Sequence, residues 1–183
     1  MARMCKFGKP VGTIMQVAYV VDDLEKAAMH WVKNLNIGPW MIMEHFAAEN
    51  MKYYDEPTSV DLSVAMAFTE TMSFELIVQH DDCPSVYKDV IEKHGFGAFH
   101  HWAITTDNFD ADVDRYLNDG AMLAFSGEVV PVGRKRFAYI DTAGNLPGMI
   151  ELIELNDAVE DLFASIRVQS EGWNGVDPVR RLG

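Results

Sequence analysis

Two related stretches decide the fold of this chain: QVAYVVDDLEKA at residues 16–27 and HWAITTDNFDAD at residues 101–112. Each has a polar residue that could bind a metal ion, then an apolar run, then an Asp–Asp or Asp–Asn pair. Because the runs are rich in β-branched and aromatic residues, we expect strands. The acidic or amide residues can cap a following helix. The two stretches therefore predict an internal repeat of one strand–helix unit.

A second pair of stretches closes the two halves of the chain: FELI at residues 74–77 and IELI at residues 150–153. The first half is predicted to contain a strand, a helix, a strand, a polar loop and a hairpin, at 14–21, 24–35, 40–46, 47–59 and 62–79. The second half is predicted to contain a strand, a helix and three strands, at 101–106, 109–118, 122–130, 135–141 and 149–155. We expect short helices around 84–92 and along 156–170, with an irregular end.

The composition limits the classes of protein that fit. The length of 183 residues suits a single domain, and 49% hydrophobic with 23% charged residues is typical of a folded globular protein. The net charge of −13 opposes binding to nucleic-acid phosphates, and no apolar run approaches the ~20 residues of a membrane span. Cys5 and Cys83 form no CxxC motif and the first residues lack an apolar signal stretch, so we expect a reduced, cytoplasmic protein.

Four polar residues interrupt the apolar strands at equivalent places: Gln16 and Glu75 in the first half, His101 and Glu151 in the second. Side chains alternate across a strand, so each of the four points away from its apolar neighbours. By the same rule, His100 is expected on the face opposite to His101. A buried carboxylate is costly without a partner, but two of them with an imidazole and an amide can surround a divalent cation. Three oxygen donors and one nitrogen donor suit Zn, Ni, Co, Mn or Fe(II).

This arrangement resembles the vicinal oxygen chelate superfamily, which includes glyoxalase I, methylmalonyl-CoA epimerase, extradiol dioxygenases and the fosfomycin and bleomycin resistance proteins. The similarity covers about residues 12–156, and its best segments are QVAYVVDDLEKA, FELIVQ, HHWAITTDNFDA and GNLPGMIELIE. It implies an α+β fold of two tandem βαβββ modules, about 12–80 and 98–156, which form an open half-barrel around a metal site. Residues 157–183 would then add a C-terminal helix and a tail.

The same resemblance implies a metal site and a reaction. It assigns one divalent metal ion (Zn, Ni, Co, Mn or Fe) to Gln16, Glu75, His101 and Glu151. It implies that the protein abstracts a proton next to a metal-bound carbonyl group of a small-molecule substrate, as glyoxalase I and the epimerases do. Glu151 is the first choice for the base, with Glu75 as the opposing acid or base. The chain would accordingly be an isomerase, epimerase or lyase.

The types of ligand separate the branches of the superfamily. Extradiol dioxygenases carry a facial triad of two histidines and one carboxylate, whereas this chain has Gln16 at the first position and an additional Glu75. The branch of glyoxalase I that has glutamine as first ligand carries an arginine for glutathione four residues later, and here that residue is Val20. An acidic chain with an apolar site favours a hydrophobic, uncharged substrate.

Two other functions stay open at this point: an Fe(II) ring-cleaving dioxygenase, and a non-catalytic protein that binds hydrophobic ligands in drug resistance. Trp40, His45, Tyr54 and Tyr139 are the candidates for the wall of the substrate pocket. The half-barrels and the amphipathic stretch at 156–166 offer apolar surface. We therefore expect a homodimer, without nucleic-acid or membrane partners.

Overall fold

The computed structural model describes residues 2–182, in which eleven strands form one curved, open sheet with four α-helices packed against it. The strands are β1 (Ile14–Val20), β2 (Trp40–Met43), β3 (Ala48–Tyr53), β4 (Glu56–Pro57), β5 (Leu62–Thr69), β6 (Met72–Gln79), β7 (Phe99–Thr106), β8 (Met122–Val129), β9 (Lys135–Asp141), β10 (Met149–Glu154) and β11 (Val179–Arg181). The helices are α1 (Leu24–Leu35), α2 (Val86–His94), α3 (Phe109–Asn118) and α4 (Asp157–Ser170). None of these helices is long and apolar enough to cross a membrane.

The sheet repeats one arrangement on each side of its centre, where β1 pairs antiparallel with β7. In the first half, β1 runs parallel to β6, and β5 and β2 follow as antiparallel neighbours. In the second half, β7 runs parallel to β10, and β9 and β8 follow as antiparallel neighbours. The mixed α+β class predicted from the sequence is confirmed.

Helix α1 begins and ends where its capping residues predict. The Asp23 side chain accepts a hydrogen bond of 3.0 Å from the backbone N–H of Lys26, which satisfies a free donor of the first turn. Asn36 ends the helix in the left-handed conformation. The helix covers one face of the first half of the sheet, so the other face of these strands is left for a site.

Two segments that were expected to be irregular join the sheet. The predicted loop 47–59 contains β3 and β4, and β3 pairs with β8 of the second half. Near the C-terminus, β11 pairs in parallel with β2. Both additions extend the sheet at its ends, and only one of their residues, Met51 of β3, is buried. Strand prediction depends on an alternation of apolar and polar residues. The two segments lack this alternation, because β3 buries a single residue and β11 buries none.

Helix α4 and the N-terminal residues pack together against β5. Phe163 of α4 contacts Phe7, with the ring centroids 5.4 Å apart, and both rings are buried. The buried carboxylate of Glu160 accepts hydrogen bonds from the Arg3 guanidinium at 2.5 Å and from the backbone N–H of Lys6 at 2.8 Å. The helix is thus held over the sheet by both apolar and charged contacts.

Candidate functional site

The four polar residues singled out in the sequence meet at the centre of the sheet. Glu75, Gln16, His101 and Glu151 lie on β6, β1, β7 and β10, which are four adjacent strands. The parallel pairs β1–β6 and β7–β10 set the two halves in equivalent register, so each half supplies two of the four side chains. The repeat in the sequence therefore becomes a cluster in space.

The distances within this cluster are short. The Nε2 atom of His101 is 3.1 Å from Glu151 Oε2 and 3.6 Å from Glu75 Oε2. His101 is fully buried, and the side chains of Glu75 and Glu151 are only 12% and 11% exposed. Within residues 2–182, neither His101 Nε2 nor Gln16 Oε1 makes a hydrogen bond of acceptable geometry. Since unpaired buried polar atoms are costly, their convergence with two carboxylates indicates a place that a bound group can complete.

Burial changes the acid–base properties of this cluster. It lowers the pKa of His101 to about 3, so the imidazole is neutral near pH 7. Burial and then the charge of Glu151 raise the pKa of Glu75 well above its usual value, against a smaller opposing effect of Gln16. Burial also raises the pKa of Glu151, and the Tyr139 hydroxyl opposes this shift by hydrogen bonding. Without a nearby cation, both carboxyl groups therefore hold their protons more strongly than exposed ones do.

The chemistry of these donors fits a divalent metal ion. One imidazole nitrogen with carboxylate and amide oxygens is a donor set for borderline divalent ions, and a cation would favour the ionised carboxylates. It would also satisfy the unpaired atoms of Gln16 and His101. Among residues 2–182, no three His, Cys, Asp or Glu side chains stand in the arrangement of a complete metal cage. Gln16, Glu75, His101 and Glu151 therefore suit a divalent ion by the chemistry of their donor atoms, and one of these donors is the amide oxygen of Gln16.

His100 departs from the simple alternation assumed for its strand. In the pairing of β1 with β7, Ala18 is opposite His101, but Tyr19 is opposite Phe99, so β7 carries one extra residue at this point. Such a β-bulge re-aims the side chain of the extra residue. His100 is fully buried, and its Nδ1 lies 2.8 Å from the Nδ1 of His101. The expectation that His100 points to the opposite face is wrong, because a bulge cannot be recognised from residue types alone.

An apolar cavity opens over three of the four polar residues. It encloses about 720 Å³, its open mouth included, and Gln16, Glu75 and Glu151 form its polar floor. Helix α4 provides one wall and Tyr87 of α2 contributes to another. The apolar side chains of the walls are Met43, Phe46, Leu62, Val64, Met66, Ile77, Val129, Val132, Phe137, Ile153, Val159, Leu162 and Phe163.

Of the four residues expected in the pocket wall, Tyr139 lines the cavity and the other three lie elsewhere. Trp40 is fully buried on the opposite side of β2, where it packs under α1. His45 lies beyond the end of β2, largely exposed, with its Nδ1 2.8 Å from Asp61. Tyr54 is in the turn between β3 and β4 and is 43% exposed. The Trp40 assignment fails because its apolar character fits either face of a strand.

Sequence analysis did not identify Tyr87 as a site residue. Its hydroxyl donates a hydrogen bond of 3.1 Å to the Tyr139 hydroxyl, and its ring stacks on His100 with centroids 4.8 Å apart. Tyr87 belongs to the helix that connects the two halves, outside both copies of the repeat. Comparing the two copies of the repeat therefore cannot identify Tyr87. The folded chain is needed to show that it lies next to His100 and Tyr139.

Comparison with known proteins gives a family and a fold. The family model for the glyoxalase/bleomycin resistance protein/dioxygenase superfamily matches residues 15–139. No curated protein matches the sequence. The hypothetical protein BH1468 from Bacillus halodurans C-125 is similar in structure, with a TM-score of 0.55 and 14% identity over 80% of this chain and 96% of its own.

Two methylmalonyl-CoA epimerases are similar to the same extent. The enzyme from Mycobacterium tuberculosis has a TM-score of 0.54 and 19% identity over 82% of this chain and 91% of its own. A variant of the Streptomyces coelicolor enzyme, in complex with 2-nitronate-propionyl-CoA, has a TM-score of 0.54 and 15% identity over 81% and 97%. At such identities the likeness shows a shared fold.

Proposed function

The chain belongs to the glyoxalase/bleomycin resistance protein/dioxygenase superfamily, and from this premise we propose that it is a metal-dependent isomerase, epimerase or lyase. It removes a proton from the carbon next to a carbonyl group of a small molecule and returns it elsewhere or eliminates a neighbouring group. One observation carries this proposal: two carboxylates and an amide form the floor of an apolar cavity, and a buried imidazole nitrogen lies 3.1 and 3.6 Å from the carboxylates.

Gln16, Glu75, His101 and Glu151 are the residues that would hold the divalent ion. When bound, the ion supplies Lewis-acid chemistry that stabilises negative charge developing on a carbonyl oxygen. His101 is suited to this role because its pKa of about 3 keeps a ring nitrogen free of a proton at neutral pH. Gln16 is suited because its Oε1 accepts no hydrogen bond from the described part of the chain.

Glu151 is the group that takes the proton from the substrate carbon. It forms part of the cavity floor, and a carboxylate that the ion holds only loosely can be displaced to accept a proton. Tyr139 is opposite Glu151 in the sheet, and the Tyr139 hydroxyl in turn accepts a hydrogen bond from Tyr87. This chain of hydroxyls orients the carboxylate. Glu75, on the other half of the sheet, is placed to deliver or receive a proton from a different direction.

The walls and charges of the cavity favour an uncharged, apolar substrate. The cations among its lining residues, Lys135 and Arg136, both contact Glu154, at 3.4 and 3.0 Å. Neither is therefore free to receive the carboxylate or phosphate of a charged substrate. The net charge of −13 further disfavours anions. We expect neutral ketones, hydroxyketones or esters with a hydrophobic body to bind better than acyl-CoA thioesters.

Metal content is the first test of the proposal. Elemental mass spectrometry of the wild type without added metal should detect a stoichiometric amount of Zn, Ni, Co, Mn or Fe. His101→Ala and Glu151→Ala should lose the metal, because each removes a donor from the cluster. His94→Ala, which changes an exposed histidine at the end of α2, is the matched control and should retain it. A wild type without metal after reconstitution would contradict the proposal.

Proton abstraction is tested separately, by solvent deuterium exchange. The wild type should introduce deuterium at the carbon next to the carbonyl group of at least some neutral ketones, hydroxyketones or esters. Glu151→Gln keeps the shape of the side chain but cannot accept the proton, so the exchange rate should fall by a factor of about 100 or more. Exchange that persists in Glu151→Gln would assign the base to another residue.

A separate variant tests the preference for uncharged substrates. Glu154→Gln would leave Lys135 without its carboxylate, although Arg136 keeps its pair with Asp110 at 2.6 Å. We therefore expect this variant to gain affinity for acyl-CoA thioesters through Lys135, while the wild type binds neutral ketones better. A thermal-shift titration with both ligand types measures the difference. Tight binding of acyl-CoA by the wild type would contradict the preference for uncharged substrates.

A binding function is the second candidate, and the apolar walls are the observation that favours it. In that case hydrophobic ligands would bind with equal affinity with and without a divalent ion, and no tested compound would exchange a proton. Metal-dependent binding of the same ligands would instead support the enzyme.

A further inference from the structure

Helix α4 closes one end of the apolar cavity, next to the polar floor. In the second half of the sheet, β10 leads from Glu151 to Ile153, whose side chain is on the same face and also lines the cavity. Shortly after the end of β10, Asn156 caps α4, because its Oδ1 accepts a hydrogen bond of 2.8 Å from the backbone N–H of Val159. The chain therefore passes directly from the proposed base to a wall of the cavity.

The first half of the sheet places α4 at the same end. Met66 of β5 is opposite Glu75 and lines the cavity. Phe68, the next residue of β5 on that face, packs against Phe163 of α4 with the ring centroids 6.4 Å apart. In both halves, the strand residues beyond the position of the carboxylate lead to α4.

The accessible part of the cavity lies towards α4. Leu62, Ile77 and Tyr87 line the cavity on the other side of the floor, and they are almost completely buried. Ile153 and Leu162, on the side of α4, are only partly buried. A ligand that has its carbonyl group at the polar floor therefore finds space for its apolar body along these two residues.

Contacts at both ends of α4 fix this wall. In the first turn, the buried Glu160 accepts hydrogen bonds from Arg3 and from the backbone N–H of Lys6. In the last turn, the guanidinium of Arg167 donates a hydrogen bond of 2.8 Å to the carbonyl oxygen of Glu70, between β5 and β6. A helix anchored in this way resists displacement by a ligand, so the cavity has a defined length on this side.

Leu162 is the residue of α4 that a ligand can contact most freely. Val159, Leu162 and Phe163 all line the cavity, and their spacing places them on one face of the helix. Val159 and Phe163 are almost completely buried in the core, whereas Leu162 is only partly buried. The size of Leu162 can therefore change without opening the core.

We propose that Leu162 is a specificity-determining residue, whose side chain limits the length of the apolar body of a substrate that has its carbonyl group at the polar floor. This inference rests on the proposed function for the nature of the substrate, and it adds a size limit. Helix α4 lies outside residues 15–139, which the family model matches. The limit is thus set by a part of the chain that this match does not include.

Binding of a homologous series of ligands tests this limit. Straight-chain methyl ketones from butanone to dodecanone are titrated into the metal-reconstituted protein by isothermal titration calorimetry. Each methylene group buried in an apolar site strengthens binding by about fourfold. The affinity of the wild type should therefore rise along the series until the ketone reaches Leu162, and beyond that length it should stop rising or fall.

Variants of Leu162 should move the limit in opposite directions. Leu162→Ala removes about three methylene-sized groups from the wall, so the limit should move to longer ketones. The first ketones beyond the wild-type limit should then bind about tenfold more tightly to this variant than to the wild type. Leu162→Phe adds volume and should move the limit to shorter ketones. Val168→Ala changes an exposed residue of the same helix, and this matched control should keep the wild-type limit.

The same limit in the wild type and in Leu162→Ala would overturn the inference. An affinity that rises along the whole series in the wild type would also overturn it, as would a wild type that binds none of the ketones. If Leu162→Ala does not fold, Leu162→Phe gives the decision, because an unchanged limit in this variant equally contradicts a role for Leu162.

The inference and the proposed function can fail separately. If the limit shifts as expected but no ketone exchanges a proton, Leu162 still selects ligands by length and only the reaction fails. If ketones exchange protons and the limit does not shift, only the role of Leu162 fails. Metal content tests the proposed function even if no ketone binds.

Discussion

Gly148 shows how closely the backbone approaches the histidine pair. Its φ of +69° lies in the region that favours glycine. A Cβ atom at this position would lie 2.6 Å from the backbone carbonyl oxygen of His100 and would overlap the Phe99 ring. The next residue, Met149, is opposite His101 in the sheet. The bulge and the missing side chain at Gly148 are thus two parts of one local packing arrangement.

We expect Gly148→Ala to lower the free energy of unfolding by about 3 kcal/mol, because backbone strain adds to overpacking against a main-chain atom. Gly144→Ala is the matched control: its φ is +83°, but nothing lies within 4 Å of the added Cβ. The control should lose only about 1 kcal/mol from strain. Urea unfolding measures the free energy of unfolding of both variants. Equal losses would show that the close approach of Gly148 to the His100 backbone does not prevent a larger side chain.

Glu154 gives a prediction for acid stability. Hydrogen bonding from Arg136 lowers the pKa of its carboxyl to about 2, despite partial burial. A lowered pKa contributes stability above the unfolded value of about 4.3, and this contribution is lost as the pH falls towards 2. Because Arg136 is 37% exposed, we expect a contribution of about 1–2 kcal/mol.

Glu154→Gln should therefore be less stable than the wild type at pH 6 by this amount, and the difference should shrink as the pH is lowered from about 4.5 to 2. Urea unfolding across this range, compared with the exposed Asp114→Asn, measures it. A difference that is constant with pH would mean that the pair acts only through packing.

At the scale of elements, the sequence predicts helices and strands that bury one apolar face and whose ends are marked by nearby residues. Helix α1 follows from its caps and its periodic apolar residues, and its predicted bounds agree with the structure. Strand β3 could not be found, because only Met51 of its six residues is buried and its partner β8 is distant in sequence. The proposed ligands were selected by repeat position, whereas the bulge at His100 depends on how two strands pair.

The contact between α4 and the N-terminal residues gives a prediction at this scale. Arg3→Gln removes a charged donor from the buried carboxylate of Glu160, which retains the N–H of Lys6, and it also removes the pair of Arg3 with the exposed Asp107. We expect a loss of about 1–2 kcal/mol in the free energy of unfolding, because a buried carboxylate is left with fewer partners.

The matched control changes the neighbouring cation. Lys6→Gln removes pairs with Asp157 and Asp161, both exposed, so it should lose at most about 0.5 kcal/mol. Chemical unfolding compares the two variants. If Lys6→Gln were the more destabilising variant, the exposed ion pairs of Lys6 would stabilise the N-terminal residues more than the buried contact with Glu160 does.

For the whole molecule, the net charge of −13 at pH 7 predicts a dependence on salt. Self-repulsion destabilises a compact, highly charged chain, and salt screens it over about 8 Å at 0.15 M compared with about 30 Å at 0.01 M. Added NaCl should therefore raise the melting temperature at pH 7. Near the isoelectric point of about 4.7 the same addition should have little effect. A melting temperature that falls with salt at pH 7 would show that the ion pairs outweigh the repulsion.

The strands β3 and β11, which pair with partners distant in sequence, have a consequence for how the chain is made. Strand β3, from the first half, completes the edge of the second half, and β11 lies along β2 of the first. A ribosome releases a chain from its N-terminus, so β2 is made long before β11 and β3 long before β8. Until their partners are made, β2 and β3 each have unpaired backbone N–H and C=O groups along one side. Such groups can pair with a wrong strand. A nascent chain of this protein therefore exposes unpaired strand edges until the later strands emerge.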